Sequence, residues 1–346
     1  MRLRGLGRIN LVSRRIRNRF RPGALILLYH RIADLPTDPQ WLSVAPPNFD
    51  EHLEVIKKVG VPVALQDLAK SLDTRKLVPK SIVVTFDDGA ADNLLTAKPL
   101  LKKHAVPATV FVSTGYVQSN REYWWDELDR LLLQPGTLPE RLELNGLQRA
   151  FSWHLTDCQE YSESNHAQHR TWNVSSAPPT ERHRLYKALI DFLLPLLPEE
   201  RLFFLDELKN WAGNTTTRNS HRALSPTEIE QLADEGLVEI GAHSVTHSVL
   251  AELPLTVQRT EIGQSKKDLE DILGAPIKSF AYPFGTLSDY TEETVRLVKE
   301  SGFEYACSNF RDVVQPGVDL FQLPRVIVRN WDGNTFENKL ERWLRG

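Results

Sequence analysis

Short runs of branched and aromatic residues alternate with helix-periodic segments along most of this chain, and that alternation constrains the fold most. Ile82-Val83-Val84-Thr85-Phe86 is the clearest run. It lacks a polar alternate face, so it predicts a strand buried on both sides. Residues 24–29, 108–112 and 237–241 read the same way, and 277–282, 305–308 and 323–328 are further candidates. Helical periodicity falls between them, at 48–59, 65–72, a short segment near Pro99, 226–233, 255–273 and 289–301. Asn48, with Asp50 and Glu51 behind it, predicts one helix start, and Ser225-Pro226 with Glu228 another; Gly60 and Gly274 predict stops. Neighbouring parallel strands need a crossover, and a helix supplies it, so the pattern predicts an α/β protein with a parallel sheet.

The rhythm breaks between about 117 and 223. Tyr123-Trp124-Trp125 leads into a leucine-rich helix, polar sequence follows, and helical periodicity returns over 182–211. These residues predict a mainly helical insertion between strands. Its Trp pair reads first as a seal of the insertion against the body, with the lining of a sugar cleft as the alternative. Cys158, His166 and His169 match no strong metal-ligand spacing. With only two cysteines the chain has no disulfide framework, as suits a reducing compartment.

Charge is unevenly spread. Residues 1–21 hold eight arginines and no other charged residue, so the remaining 34 basic groups (42 less 8) face 45 acidic ones, a net of −11. An acidic body argues against nucleic acid as a partner. The arm at 1–22, with Leu3, Leu6, Ile9, Leu11, Ile16 and Phe20 among its arginines, reads either as a peripheral membrane contact through residues 1–21 or as a solvated tail. No stretch approaches the ~20 apolar residues of a membrane span, and no signal-like apolar run follows the arginines, so the expected location is cytoplasmic, docked on the membrane if the arm binds it.

Chemistry gathers where strands end. Phe86 gives way to Asp87-Asp88-Gly89, the first strand to Tyr29-His30, and the strand at 237–241 to His243-Ser-Val-Thr-His247. Asp-Asp-Gly alone reads as a turn cap, and a lone His-x-x-x-His as a surface pair. Together they read differently: imidazoles at i and i+4 on one helical turn suit two ligands on one ion. A carboxylate from a neighbouring strand end would complete a facial set of three, so Asp88, His243 and His247 are the expected ligands.

Thr85-Phe86-Asp87-Asp88-Gly89, His243-Ser-Val-Thr-His247 and Tyr282-Pro283-Phe284-Gly285 resemble, in order, the first three motifs of the polysaccharide deacetylase family (carbohydrate esterase family 4, the NodB-homology domain), over about 24–116 and 224–330. The resemblance implies an incomplete or distorted (β/α) barrel of about seven strands over 23–346, interrupted by the insertion, with its site at the C-terminal strand ends. It also implies one divalent metal ion, zinc first and cobalt or nickel next, with Asp88 as its carboxylate ligand, Asp87 as general base and the Phe284 N–H as oxyanion donor. The implied reaction is removal of N-acetyl groups from an N-acetylated glycan or a lipid-linked oligosaccharide, in exopolysaccharide biosynthesis.

Two departures matter. Ala281 stands where many members carry an arginine, and Leu323-Pro324-Arg325-Val326 where many carry a histidine. The circularly permuted poly-N-acetylglucosamine deacetylases take that histidine from an N-terminal Tyr-His strand end, which Leu28-Tyr29-His30-Arg31 resembles. His30 is thus the candidate acid, against a core histidine. Arg325 either replaces the missing arginine beside Asp87 or forms an unrelated ion pair. Alternative functions are an O-acetyl esterase on the same residues, or a catalytically silent glycan-binding domain.

Overall fold

The computed structural model describes residues 23–117, 119, 121–146, 149–156 and 158–345. The basic arm and its proposed membrane contact lie outside the described residues. Eight strands form one parallel sheet: β1 (Leu25–Tyr29), β2 (Val61–Pro62), β3 (Ser81–Phe86), β4 (Ala108–Val112), β5 (Val238–Ala242), β6 (Ser279–Ala281), β7 (Tyr305–Cys307) and β8 (Val326–Ile327). Their spatial order is β7-β6-β5-β4-β3-β1-β8, with β2 paired to the start of β3. Leu323 bridges Cys307, while Val326 and Ile327 pair with Leu27 and Leu28. One segment therefore touches both ends of the path, and the sheet curls into a distorted (β/α) barrel.

The helices are α1 (Pro46–Val59), α2 (Leu65–Asp73), α3 (Lys98–His104), α4 (Trp124–Leu132), α5 (Glu163–His169), α6 (Glu181–Leu193), α7 (Pro198–Ala212), α8 (Pro226–Ala233), α9 (Leu255–Leu273), α10 (Glu292–Glu300) and α11 (Gly333–Arg345). Alternate strand residues divide between two cores. Leu25, Leu27, Ile82, Val84, Val110 and Ile240 pack with Phe49, Leu53, Leu101, Ile262 and Val298 of the surrounding helices. Ile26, Val83, Phe111, Ala281 and Cys307 form a smaller second core with Leu65 and Leu68 of α2. The crowding there explains Gly241: a Cβ at that position would lie 2.5 Å from the Phe111 ring and 2.6 Å from Ser279 Oγ.

Several boundaries differ from expectation. Helix α1 begins at Pro46, with Ala45 rather than Asn48 at its cap, because a proline at the first helical position needs no N–H partner. Asn48 instead donates from Nδ2 to Asn330 Oδ1. The Ser225–Glu228 capping box of α8 is present in full, and Gly274, at φ 62°, stops α9. Helix α10 starts at Glu292 behind a Thr291–Thr294 box, later than 289. Between 124 and 212 the helices α4 to α7 are joined by two antiparallel pairs, 141–145 with 150–154 and 136–137 with 160–161, which apolar periodicity did not announce. No helix among the described residues is long and apolar enough to cross a membrane.

Two buried histidines make stability depend on pH. His52 donates from Nε2 to the Trp331 carbonyl and stacks on Phe336 at 4.1 Å; His183 packs edge-on against Trp172 at 4.6 Å. Burial lowers each from 6.5 to about 4. The unfolded chain therefore takes up these protons near pH 6.5 while the folded chain refuses them until about 4, and stability is lost as pH falls through that window. The expected slope is ~1.4 kcal/mol per pH unit for each imidazole. Melting temperatures recorded from pH 7 to 4 should fall progressively, and less steeply in His52→Asn.

Candidate active site

Asp87 and Asp88 part in conformation just past the end of β3 at Phe86. Asp87 keeps its N–H on the Tyr29 carbonyl of β1 at 3.0 Å; Asp88, at φ 75°, has already turned left-handed. The Asp88 carbonyl accepts from the Tyr123 hydroxyl, which ties the turn to the head of α4. Asp87, Asp88, His243 and His247 are all buried, at the C-terminal ends of β3 and β5.

Asp87 meets Arg325. The guanidinium gives Nη1 to Asp87 Oδ1 and Nη2 to Oδ2, each at 2.7 Å, while its Nε donates to the Ser308 carbonyl at 2.9 Å. A planar fork of this kind fixes both position and plane of the carboxylate. Arginine thus comes from the segment that closes the barrel, while Ala281, at the end of β6, lends its carbonyl to His243. Burial works to raise the Asp87 carboxyl, but Arg325 first and His243 next hold it below the usual range.

The two imidazoles do not ride on a helical turn. Residues 243–247 are irregular, with Ser244 at φ 61° and His247 at φ 52°. Helical bonding is pre-empted by Glu261 of α9, whose carboxylate accepts from the N–H groups of Val245 and Thr246 at 3.0 and 2.8 Å and from the Thr246 hydroxyl at 2.9 Å. His243 donates from Nδ1 to the Ala281 carbonyl at 2.8 Å, leaving Nε2 with its lone pair toward the carboxylates. Burial pulls His243 down to about 4, so it is neutral at pH 7. His247 is held by rings, with Trp125 and Phe284 each at 4.8 Å between centroids.

The donor set fits one metal ion. Asp88, His243 and His247 each offer a ligand atom, all within 4.8 Å of one another. His247 Nε2 lies 3.3 Å and His243 Nε2 3.7 Å from Asp88 Oδ1, a buried oxygen without a hydrogen bond among the described residues. Burial alone would raise the Asp88 carboxyl; His247, His30 and His243 hold it well below the usual range. An orphaned carboxylate oxygen facing two imidazole nitrogens is a cation-ready arrangement. The trio Asp50, Glu54 and His104 is different, since Lys103 and His104 already bind Asp50. Cys158, His166 and His169 form no such group among the described residues.

These residues open onto a cavity of about 370 Å³ that His30, Trp124, Trp125, Phe284, Asn309 and Arg329 also line. His30 follows β1 and lies near both aspartates; burial lowers its pKa, which Asp88 and then Asp87 partly offset. Phe284 sits at φ 58° in a one-residue turn closed by Gly285 N–H on the Pro283 carbonyl. Its N–H has no acceptor among the described residues. Gly285 is required, because φ is 70° and a Cβ would lie 2.9 Å from the Tyr282 carbonyl. The Trp pair both seals and lines: Trp124 is 2% exposed beneath the Arg201 guanidinium, and Trp125 packs on His247. Glu261, the Ala281 carbonyl and Arg329 escaped sequence reasoning, because nothing local marks a residue that acts across α9, β6 or β8.

Comparison with known proteins adds family and fold. The sequence profile "Polysaccharide deacetylase" matches residues 74–139 and 201–306, on either side of most of the insertion. The Bacillus subtilis protein YxkH is 31% identical over 129 residues, 35% of this chain and 44% of that one. Poly-beta-1,6-N-acetyl-D-glucosamine N-deacetylase of Staphylococcus epidermidis is 23% identical over 146 residues, 39% of this chain and 47% of that one. The chain thus spans under half the length of these curated relatives. Among solved structures, IcaB from Ammonifex degensii shares the fold with a TM-score of 0.57 at 18% identity, covering 94% of this chain and 98% of that one. Streptococcus pyogenes deacetylase PplD shares it with a TM-score of 0.56 at 18% identity, covering 92% and 99%.

Proposed function

We propose that this chain, which belongs to the polysaccharide deacetylase family, is a hydrolase that removes N-acetyl groups from amino sugars of a polysaccharide or a lipid-linked glycan precursor. The observation that carries this reading is a single one. A carboxylate locked in place by a buried arginine stands beside a carboxylate and two imidazoles that share an empty-handed oxygen, all at the floor of one cavity. The activity for which the Staphylococcus epidermidis relative is named supports the choice of an N-acetylated sugar.

Asp88, His243 and His247 would hold a divalent ion, zinc first with cobalt or nickel next, which supplies a positive centre that polarises an acyl carbonyl and acidifies water. The rest falls to the chain. Asp87, ionised and fixed by Arg325, takes the proton from the attacking water. Arg325 trades basicity for orientation: it lowers the Asp87 pKa but aims the lone pairs. The Phe284 N–H, free of internal partners, donates to the oxygen that becomes negative as the carbonyl carbon turns tetrahedral. His30, across the cavity, delivers a proton to the departing nitrogen. Trp125 and Phe284 flank His247 and keep bulk water from that side.

An O-acetyl ester is the second reading, and one observation favours it. Burial holds His30 below its ordinary pKa although Asp88 and Asp87 oppose it, which works against the acid form. An alkoxide leaves with less help from an acid than an amine does. His30→Ala should therefore slow amide cleavage far more than ester cleavage if both are substrates.

Acetate release from a panel of N-acetyl glycans, with and without a chelator, tests the proposal. Chelation should abolish release and added zinc, cobalt or nickel should restore it. Release indifferent to chelator would overturn the metal reading. No release from any N- or O-acetyl glycan with metal supplied would favour a silent glycan-binding domain.

A further inference from the structure

Trp41 lies at the wall of the catalytic cavity in an arrangement the mechanism does not use. It is 39% exposed and belongs to none of the three apolar clusters of the described residues, so core packing does not explain it. Its backbone is left-handed, at φ 57°, which is uncommon for a bulky residue.

The surroundings over-determine that conformation. Trp41 N–H donates to the Asp38 carbonyl at 3.0 Å, and the Asp38 carboxylate accepts from the N–H groups of Leu42 and Ser43 at 2.9 and 2.8 Å. Arg329, which follows β8, donates from Nη1 to the Trp41 carbonyl and lays its guanidinium over the ring, 4.9 Å from the centroid. Arg329 thus holds both the ring and its carbonyl, with the Asp38 charge of the same loop acting on it as well. On the other side, Gln40 donates to the Tyr186 hydroxyl at 2.8 Å and Val174 N–H to the Pro39 carbonyl at 2.9 Å. The barrel and the inserted helices thus clamp the same loop. Strained residues fixed from several directions cluster at ligand clamps.

We propose that Trp41 is the stacking platform of a second sugar subsite, adjacent to the one that receives the scissile N-acetyl group; this rests on the glycan deacetylase reading above. A pyranose presents one face of axial C–H groups, and a fixed indole face buries that apolar patch without needing a hydrogen bond. Val174, Ile190 and Leu194 of the insertion line the same cavity, so the sugar held there lies between the two parts of the fold. The ligand class is an oligomer or polymer of N-acetylated hexosamine rather than a single sugar.

The test compares kcat/KM for acetate release from the mono- and pentasaccharide of N-acetylglucosamine, in wild type, Trp41→Gly and Trp41→Phe. Wild type should prefer the pentasaccharide, and in Trp41→Gly that preference should shrink about tenfold, through KM. Trp41→Phe should keep most of it. The melting temperature of Trp41→Gly should not fall, because glycine suits φ 57°. A merely structural Trp41 would give the opposite pattern, with lower stability and an unchanged preference, and that result overturns the platform. If wild type releases no acetate, the deacetylase reading fails separately, and calorimetric titration with the same pentasaccharide still decides. Equal binding by wild type and Trp41→Gly, or none by either, overturns the subsite.

Discussion

Asp87→Asn is expected to slow acetate release by about 10²–10⁴-fold while leaving metal binding stoichiometric. The amide fills the same space but accepts no proton, so the water that attacks the carbonyl loses its base. Asp88→Asn should behave in the opposite order, losing the metal first and activity as a consequence. The contrast follows from geometry: Asp87 gives both oxygens to Arg325, whereas Asp88 Oδ1 is unclaimed and faces His243 and His247. Metal content of the two variants, measured after dialysis, checks the assignment. Equal metal loss in both would mean that Asp87 is a ligand and not the base.

Arg325→Met is expected to cost stability as well as activity. Arg325 is 1% exposed, its fork is spent on Asp87 and its Nε on the Ser308 carbonyl. Removing one member of a buried pair strands the other charge, at a cost of about 3–5 kcal/mol, or a fall in Tm of roughly 4–7 °C for a chain of 346 residues. Arg325→Lys keeps the charge but not the fork, so it should recover most of the Tm and little of the rate. The double variant Arg325→Met with Asp87→Asn should melt above Arg325→Met alone, since no carboxylate is then left unpaired. If Arg325→Met melts with wild type, the pair is not a structural lock.

The pH window expected for the proposed reaction is bounded by the same groups. Asp87 and Asp88 stay ionised to low pH, the first because Arg325 outweighs burial and the second because of the imidazoles around it. Imidazole ligands, by contrast, must be unprotonated to bind metal, and burial keeps His243 neutral down to about pH 4.

Much of this was legible in one dimension. Uninterrupted branched residues at 82–86 and 108–112 have only one stable home, a sheet covered on both faces, and both strands lie where that logic puts them. Ser225-Pro226 with Glu228 carries its capping box within four positions, so local chemistry alone placed the start of α8. His243 and His247 were identifiable as a pair because their spacing is short and each strand end delivers its residues to the same rim of the barrel. Their backbone was not: a helical turn was expected, but Glu261, distant in sequence, takes the N–H groups that such a turn would use.

Local sequence, then, determined the strands, most helices and which titratable side chains stand at the strand ends, because burial patterns, caps and turn residues act over a few positions. Tertiary structure decided which of two adjacent aspartates meets Arg325, that the Ala281 carbonyl orients His243, and that Trp41 is held open to the cavity by Arg329. Each of those outcomes depends on partners tens to hundreds of residues apart, brought together only when the sheet curls and its last strand closes against its first. A fork on a carboxylate or a ring over a guanidinium leaves no periodic trace in the chain, since its energy exists only after that closure.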